Sequence, residues 1–158
     1  MIRHLTTAAA LAAFAAAGAL AQPDFRSTPR TENMQDLARV DEMVMVPMRD
    51  GVRLSTDVYL PLEGDGPFPV IFWRTPYNYN TLAGARLDMA RKAVERGYAF
   101  VIQNERGRYY SEGEWEILGF PRTDGYDALT WIAEQPWSNG RVGTLGCSSS
   151  AEWQLALA

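Results

Sequence analysis

Histidine and cysteine are almost absent from this chain of 158 residues, and each shortage excludes a type of chemistry. His4 is the only histidine and Cys147 is the only cysteine. A single cysteine cannot form an internal disulfide. Without a cluster of histidines and cysteines the sequence predicts no metal site. Because no lysine follows Gly143 and Gly146, it also predicts no phosphate-binding loop.

Strong net charge is missing as well. The formal net charge is −4 at pH 7, and no basic stripe or run of like charge is visible, so the sequence predicts no nucleic-acid partner. With 47% hydrophobic and 22% charged residues, the composition is that of a globular protein. The length allows one domain with its own core.

The first 21 residues have the pattern of a secretory signal peptide. A polar start with Arg3 and His4 is followed by an alanine-rich apolar run over residues 6–20, and a small-x-small pattern ends at Ala21. We therefore expect cleavage after Ala21 and a secreted or periplasmic protein that makes no membrane contact afterwards. An uncleaved membrane anchor is the alternative. In either case His4 lies outside the folded domain.

Residues 40–158 show the strand and helix patterns of a domain, whereas residues 22–39 have the polar composition of a linker. A hairpin is predicted first, with a short strand at 43–46 and an Asp50-Gly51 turn. Its second strand covers residues 52–60, where a period of two indicates one buried face.

The elements after the hairpin alternate between apolar strands and amphipathic helices. They are predicted as a strand at 70–73, a helix at 82–96, a strand at 98–103, a helix capped by Asp124 and stopped by Pro136, an Asn139-Gly140 turn, a strand from Val142 and a helix from Ala151. This alternation predicts an α/β fold in which an antiparallel hairpin precedes parallel strands joined by crossover helices. Active sites in such sheets lie at the carboxyl ends of the strands.

The segment Gly146-Cys147-Ser148-Ser149-Ser150 lies between the last predicted strand and the last helix, which is the position of a nucleophile elbow. Ser148 is the predicted nucleophile, and Ser149 and Ser150 are the remaining candidates. The alternative is an ordinary loop whose serines only cap the helix. Cys147 is expected to be a small buried packing residue, with a catalytic thiol as the alternative. A serine nucleophile needs an adjacent base, and the predicted domain contains no histidine.

Two donors for a tetrahedral oxyanion can be assigned. The backbone amide of Ser149 lies at the start of the last helix, whose dipole favours negative charge. The loop after the third strand contains Tyr77, whose hydroxyl is the candidate second donor; a tyrosine packed on the rim is the alternative. In the next loop, Arg106 is expected to bind backbone carbonyls or a carboxylate, or else to belong to a solvated charged surface.

Several segments, taken together and in this order, resemble one family. They are residues 46–54, residues 57–61, the segment Arg74-Thr75-Pro76-Tyr77, residues 106–114 and residues 124–143. They resemble the opening of the CocE/NonD-type hydrolases, the group of X-Pro dipeptidyl-peptidases, cocaine esterases and α-amino acid ester hydrolases. The similarity runs from about residue 40 to the last residue.

The resemblance implies an α/β-hydrolase fold for residues 40–158, with Ser148 as nucleophile and with the Tyr77 hydroxyl and the Ser149 amide as oxyanion donors. The implied activity is cleavage of ester or amide bonds, X-Pro peptide bonds included, in a small-molecule ester or peptide substrate. The reaction would pass through an acyl-enzyme and would need no cofactor. A truncated or degenerate module that binds a ligand or partner without turnover is the alternative.

Two features depart from the family pattern. Asn104 stands where the family commonly has aspartate, and Ser149 and Ala151 take the tyrosine and glycine places after the nucleophile. These departures bear on substrate preference more than on reaction type. The acid and histidine of the family follow the nucleophile in the chain. We therefore expect this chain to be the N-terminal part of a longer enzyme, truncated after the elbow.

Overall fold

The protein is described by a computed structural model, which covers residues 34–79, 84–117 and 121–157. These residues form strands β1 (Ala38–Pro47), β2 (Arg53–Pro61), β3 (Phe68–Thr75), β4 (Ala99–Asn104) and β5 (Ser138–Thr144), and helices α1 (Gly84–Val94), α2 (Pro121–Glu134) and α3 (Ser149–Leu157). The predicted signal peptide and most of the predicted linker lie outside the described residues.

The strands form one sheet in the order β1-β2-β4-β3-β5. β1 and β2 make the antiparallel hairpin, and β2 also runs antiparallel to β4. β3 lies between β4 and β5 and is parallel to both. Since α1 connects β3 to β4 and α2 connects β4 to β5, the predicted α/β architecture with crossover helices is confirmed.

Helices α1 and α2 cover opposite faces of this sheet. On β4, Phe100 and Ile102 belong to the cluster that includes Ala90 of α1, while Val101 packs with Ala128 of α2. All of these side chains are fully buried or nearly so. The apolar run of β4 therefore reflects a strand covered on both sides, as the sequence predicts, and each buried side chain of this size contributes about 1.5–3 kcal/mol.

The prediction that β2 has only one buried face is wrong. Every residue of the strand after Arg53 is buried, because β2 lies between β1 and β4 and its polar side chains have partners inside the protein. The Ser55 amide donates to Ser111 Oγ at 2.9 Å, and Ser55 Oγ lies 3.1 Å from Tyr79 Oη. The Met43 amide donates to Asp57 Oδ1 at 2.8 Å, next to a register shift in β1. The alternation of polar and apolar residues in β2 therefore does not separate a core face from a solvent face, because the polar side chains after Arg53 are buried as well.

The boundaries of β1 and α1 differ from the predicted ones. β1 begins at Ala38, inside the predicted linker, and Met34 just before it is buried in the cluster around α1. α1 ends at Val94, two residues earlier than predicted. The glycine signal after the helix is confirmed, since Gly97 has φ 75° and its amide donates to the Val94 carbonyl at 3.0 Å.

The Asn139-Gly140 pair is not the predicted tight turn. Both residues lie inside β5, and Gly140 has φ 78°. The pairing of β5 with β3 shifts register between Phe68 and Val70. The glycine therefore accommodates an irregularity within a strand, which the sequence signal alone does not distinguish from a turn.

Asp124 is not the predicted helix cap. α2 begins at Pro121, and the Asp124 carboxylate is buried among two arginines instead. It accepts hydrogen bonds from Arg106 Nε at 3.0 Å and Nη2 at 2.7 Å and from Arg74 Nη2 at 3.3 Å. Arg106 Nη1 also lies 2.8 Å from Asp50 Oδ2. Of the alternatives for Arg106, binding to carboxylates is the one observed, and this ion cluster joins β3, the loop after β4, α2 and the hairpin turn.

Asp124→Asn should strongly destabilise the protein. Arg74 and Asp124 have side-chain exposures of 1% and 2%, so the substitution removes the hydrogen-bonded counterion of a buried positive charge. Losing one partner of such a pair costs about 3–5 kcal/mol. Urea unfolding of the full-length protein, followed by tryptophan fluorescence, measures this loss.

Asp127→Asn, on the same helix, is the matched control. Its partner Arg49 has a side-chain exposure of 55%, so water replaces much of the lost interaction and the loss of stability should be much smaller. Equal losses in the two variants would show that the Asp124 cluster does not hold the fold together.

Candidate active site

The turn between β5 and α3 has the geometry of a nucleophile elbow. Ser148 is exposed and has φ 54°, a left-handed conformation that is uncommon for a residue other than glycine. A Cβ atom at Gly146 would lie 2.5 Å from the Ser150 carbonyl oxygen, so the backbone closes tightly at this point. The turn therefore exposes the Ser148 hydroxyl at the carboxyl end of the parallel strands.

The structure brings the predicted site residues together. The Tyr77 hydroxyl, on the loop after β3, lies 3.4 Å from Ser148 Oγ, and Tyr77 as a residue is 44% exposed. Ser149 follows the serine directly and is the first residue of α3, where backbone N–H groups have no acceptor within the helix. The Ser148 and Tyr77 hydroxyls and the first backbone N–H groups of α3 thus lie at one edge of the sheet.

Asn104, at the carboxyl end of β4, holds the backbone of the Tyr77 loop. Its Nδ2 atom donates to the carbonyl oxygens of Tyr77 at 2.9 Å and of Thr75 at 3.2 Å. Only the amide form of this side chain carries N–H donors, and a carboxylate has none. The departure from the family pattern therefore makes Asn104 a donor to the loop that carries the proposed oxyanion tyrosine.

The expectation that Cys147 is buried is wrong, because the residue is exposed. β5 is an edge strand of the described sheet, so no further strand of the described residues covers the elbow on its outer side.

Glu105 is a buried carboxyl near this site that was not among the predicted site residues. It is only 2% exposed, and burial raises its pKa to about 7. A hydrogen bond from Trp115 Nε1 to Oε2 at 3.3 Å and the positive charges of Arg74 and Arg108 partly oppose this rise. The available signal in the sequence was a charged residue placed directly after a buried strand.

Within the described ranges, no group of three or more histidine, cysteine, aspartate or glutamate side chains could hold a metal ion. None of the helices formed by these residues is long and apolar enough to cross a membrane.

Residues 50–158 match the sequence pattern of the X-Pro dipeptidyl-peptidase (S15) family. The chain is also similar to the cocaine esterase of Rhodococcus sp. (strain MB1 Bresler), with 43% identity over 122 residues, which are 72% of this chain and 20% of that protein.

Two solved structures share the fold. An α-amino acid ester hydrolase superimposes with a TM-score of 0.65 and 31% identity over 75% of this chain and 22% of its own. A CocE/NonD family hydrolase from Staphylococcus aureus superimposes with a TM-score of 0.66 and 28% identity over 76% of this chain and 25% of its own. The chain thus spans between a fifth and a quarter of the length of the relatives that it matches.

Gly146→Ala should prevent the elbow from closing. The added Cβ would lie 2.5 Å from a backbone oxygen and 2.7 Å from the adjacent carbonyl carbon, so α3 would have to shift. Overpacking of this kind costs about 1–3 kcal/mol. The loss is measured by urea unfolding of the full-length protein.

Gly143→Ala in β5 is the matched control. Its Cβ would make an ordinary contact of 3.6 Å with Ile71 Cδ1, and stability should change little. If Gly146→Ala were as stable as Gly143→Ala, the tight approach of the elbow to α3 would be contradicted.

Glu105→Gln should flatten the pH dependence of stability. Because burial raises the pKa of Glu105 from 4.5 to about 7, the folded protein keeps this proton over a pH range in which the unfolded chain releases it. The contribution to stability is complete below pH 4.5 and is lost as the pH rises through 7. The variant should therefore lose less stability than the wild type over this range, measured as melting temperature against pH in the full-length protein.

Glu112→Gln gives a control of opposite sign. Hydrogen bonds from Arg53 lower the pKa of Glu112, so its contribution is present at neutral pH and is lost as the pH falls below 4.5. If the profile of Glu105→Gln followed that of the wild type between pH 4.5 and 7, the raised pKa would be wrong.

Proposed function

This chain belongs to the X-Pro dipeptidyl-peptidase (S15) family, and we propose that it forms the nucleophile-bearing part of a serine hydrolase that cleaves ester or amide bonds. One observation carries the proposal. A serine with φ 54° at a strand-to-helix turn has its hydroxyl 3.4 Å from that of Tyr77. Strained turns at exposed hydroxyls are typical of activated nucleophiles in α/β-hydrolases.

The proposed reaction begins with attack of Ser148 Oγ on the carbonyl carbon of the substrate. The hydroxyl proton passes to a base, and the carbonyl oxygen becomes an oxyanion that accepts hydrogen bonds from the Tyr77 hydroxyl and the Ser149 N–H. The carbon–oxygen or carbon–nitrogen bond to the leaving group then breaks, and the leaving group takes up the proton. Water attacks the resulting acyl-enzyme and regenerates the serine.

We propose that the base is supplied by a part of the protein other than the described residues. The described residues contain no histidine, and in α/β-hydrolases the acid and histidine follow the nucleophile in the sequence. We propose that the relatives' additional length, which is three quarters or more of each protein, corresponds to the part that would supply both groups here.

The proposed substrates include both esters and amides. One relative is named a cocaine esterase and another an α-amino acid ester hydrolase, while the family takes its name from X-Pro dipeptidyl-peptidases. Ester and amide substrates share the tetrahedral oxyanion that Tyr77 and Ser149 would stabilise. We propose a small-molecule ester or a peptide as substrate, and export of the protein to the periplasm or the exterior by its first 21 residues.

A non-catalytic module that binds a ligand or partner is the second candidate. The observation in its favour is that the side chain that Ser148 Oγ contacts, at 3.4 Å, is the Tyr77 hydroxyl and not a basic group. A hydroxyl without an adjacent base is a weak nucleophile. Covalent labelling of the serine distinguishes the two candidates directly.

A fluorophosphonate probe should label the full-length wild-type protein at Ser148. The probe reacts only with an activated serine, so Ser148→Ala should remove the label completely. Labelling is measured by gel fluorescence and by mass spectrometry of the modified peptide.

Tyr77→Phe deletes one oxyanion donor and should lower kcat by about 100- to 1,000-fold.

Ser138→Ala is the matched control for the labelling experiment. Ser138 lies at the other end of β5, where its hydroxyl accepts a hydrogen bond from the Gly140 amide at 3.2 Å. Labelling should persist in this variant. A folded, full-length wild-type protein that stays unlabelled would favour the non-catalytic module, and labelling that survives Ser148→Ala would assign the nucleophile to another residue.

A further inference from the structure

We propose that Thr75 and Ser150 are positioning residues that hold the two oxyanion donors in fixed relation to each other. The inference rests on the proposed function, since it concerns the same site. Ser150 Oγ donates a hydrogen bond to Thr75 Oγ1 at 3.0 Å, and the Tyr77 amide donates to the same oxygen at 3.1 Å. Thr75 and Ser150 are each only 1% exposed.

Thr75 and Ser150 each lie close in the sequence to one of the two proposed oxyanion donors. Ser150 directly follows Ser149, whose amide is one proposed donor, and Thr75 lies two residues before Tyr77, whose hydroxyl is the other. The hydrogen bond between the two hydroxyls is therefore a direct link between the end of β3 and the first turn of α3. A threonine hydroxyl has two acceptor lone pairs, so Thr75 Oγ1 can serve the loop and the helix at once.

Neighbouring contacts make the Thr75 end of this link rigid. The Thr75 carbonyl accepts hydrogen bonds from the Glu105 amide at 3.1 Å and from Asn104 Nδ2 at 3.2 Å. The Asn104 carbonyl in turn accepts one from Ser111 Oγ at 3.0 Å. Because β4 fixes the backbone of Thr75 in this way, loss of its hydroxyl should release Tyr77 and α3 from each other rather than move β3.

Catalysis is sensitive to this kind of displacement. The oxyanion needs both donors at hydrogen-bond distance in the transition state, and misplacement of a catalytic group by about 1 Å can cost about 100-fold in rate. Binding of the substrate in its ground state depends less on these donors. A residue that positions them should therefore affect kcat much more than KM.

Thr75→Val in the full-length protein tests the proposal, because valine keeps the shape of threonine and removes the hydroxyl. We expect kcat on a p-nitrophenyl ester to fall by about 10- to 100-fold, with little change in KM. Thr75→Ser keeps the acceptor and should restore most of the rate. Ser150→Ala removes the donor and should reproduce the loss, which keeps the proposal testable if Thr75→Val does not fold.

Thr56→Val is the matched control. Thr56 is a buried threonine in β2 whose Oγ1 accepts a hydrogen bond from Gln103 Nε2 at 2.9 Å, so its loss should lower the melting temperature without a selective loss of kcat. If Thr75→Val and Thr56→Val lowered kcat equally, Thr75 would have only a general structural role and the proposal would be overturned.

A double-mutant cycle tests whether Thr75 acts through Tyr77. In a Tyr77→Phe background one donor is already gone, so adding Thr75→Val should lower kcat by a much smaller factor than it does in the wild type. The same factor in both backgrounds would overturn the proposed positioning role.

A crystal structure of the full-length Thr75→Val variant gives a readout that does not depend on activity. The distance between Tyr77 Oη and Ser148 Oγ should increase beyond the 3.4 Å of the present structure, and an unchanged distance would overturn the inference. A wild-type protein that the fluorophosphonate probe does not label would instead contradict the proposed function, so the two failures are distinguishable.

Discussion

The parallel pairing of β3 with both β4 and β5 is the constraint on which the rest of this structure depends. In this pairing Thr75 lies opposite Asn104 and Phe72 lies opposite Thr144, so the three strands end at the same edge of the sheet. The Tyr77 loop therefore lies between Asn104 on one side and the Ser148 elbow on the other. Strand direction and register alone are enough to bring these residues close together.

The same edge of the sheet contains several buried polar and charged groups. Arg74 is fully buried beneath the loop that it precedes, with Asp124 as its counterion and the Trp153 ring 5.0 Å from its guanidinium. Burial of charge weakens a fold unless partners compensate. Because Trp153 belongs to α3 and Asp124 to α2, the compensating contacts attach both helices to the strand that carries the Tyr77 loop. The ion cluster and the buried hydrogen bond between Ser150 and Thr75 therefore both connect the end of β3 to the helices beside it.

The sequence predicted the elements and the elbow because their signals are local. The apolar run of β4, the glycine after α1 and the small residues around Ser148 each depend on neighbours in the chain. β2 and Asp124 were misjudged because their environments depend on distant partners, Ser111 and Tyr79 in the first case and two arginines in the second. A polar residue in a strand or at a helix start has the same pattern whether water or a buried partner satisfies it.

The arrangement also separates the two requirements of the proposed serine-hydrolase reaction. The conformation of the elbow is fixed by contacts within the chain, namely the close approach of Gly146 to Ser150 and the hydrogen bond from Ser150 to Thr75. None of these contacts involves a base. The proposed oxyanion donors, however, would stabilise charge that develops as Ser148 attacks, and this attack would need a proton acceptor. The proposed oxyanion site could therefore be preorganised without the base, whereas the proposed reactivity of Ser148 would depend on residues that bring a base to it. In the proposed reaction, preorganisation of the donors and activation of the nucleophile would thus depend on different contacts.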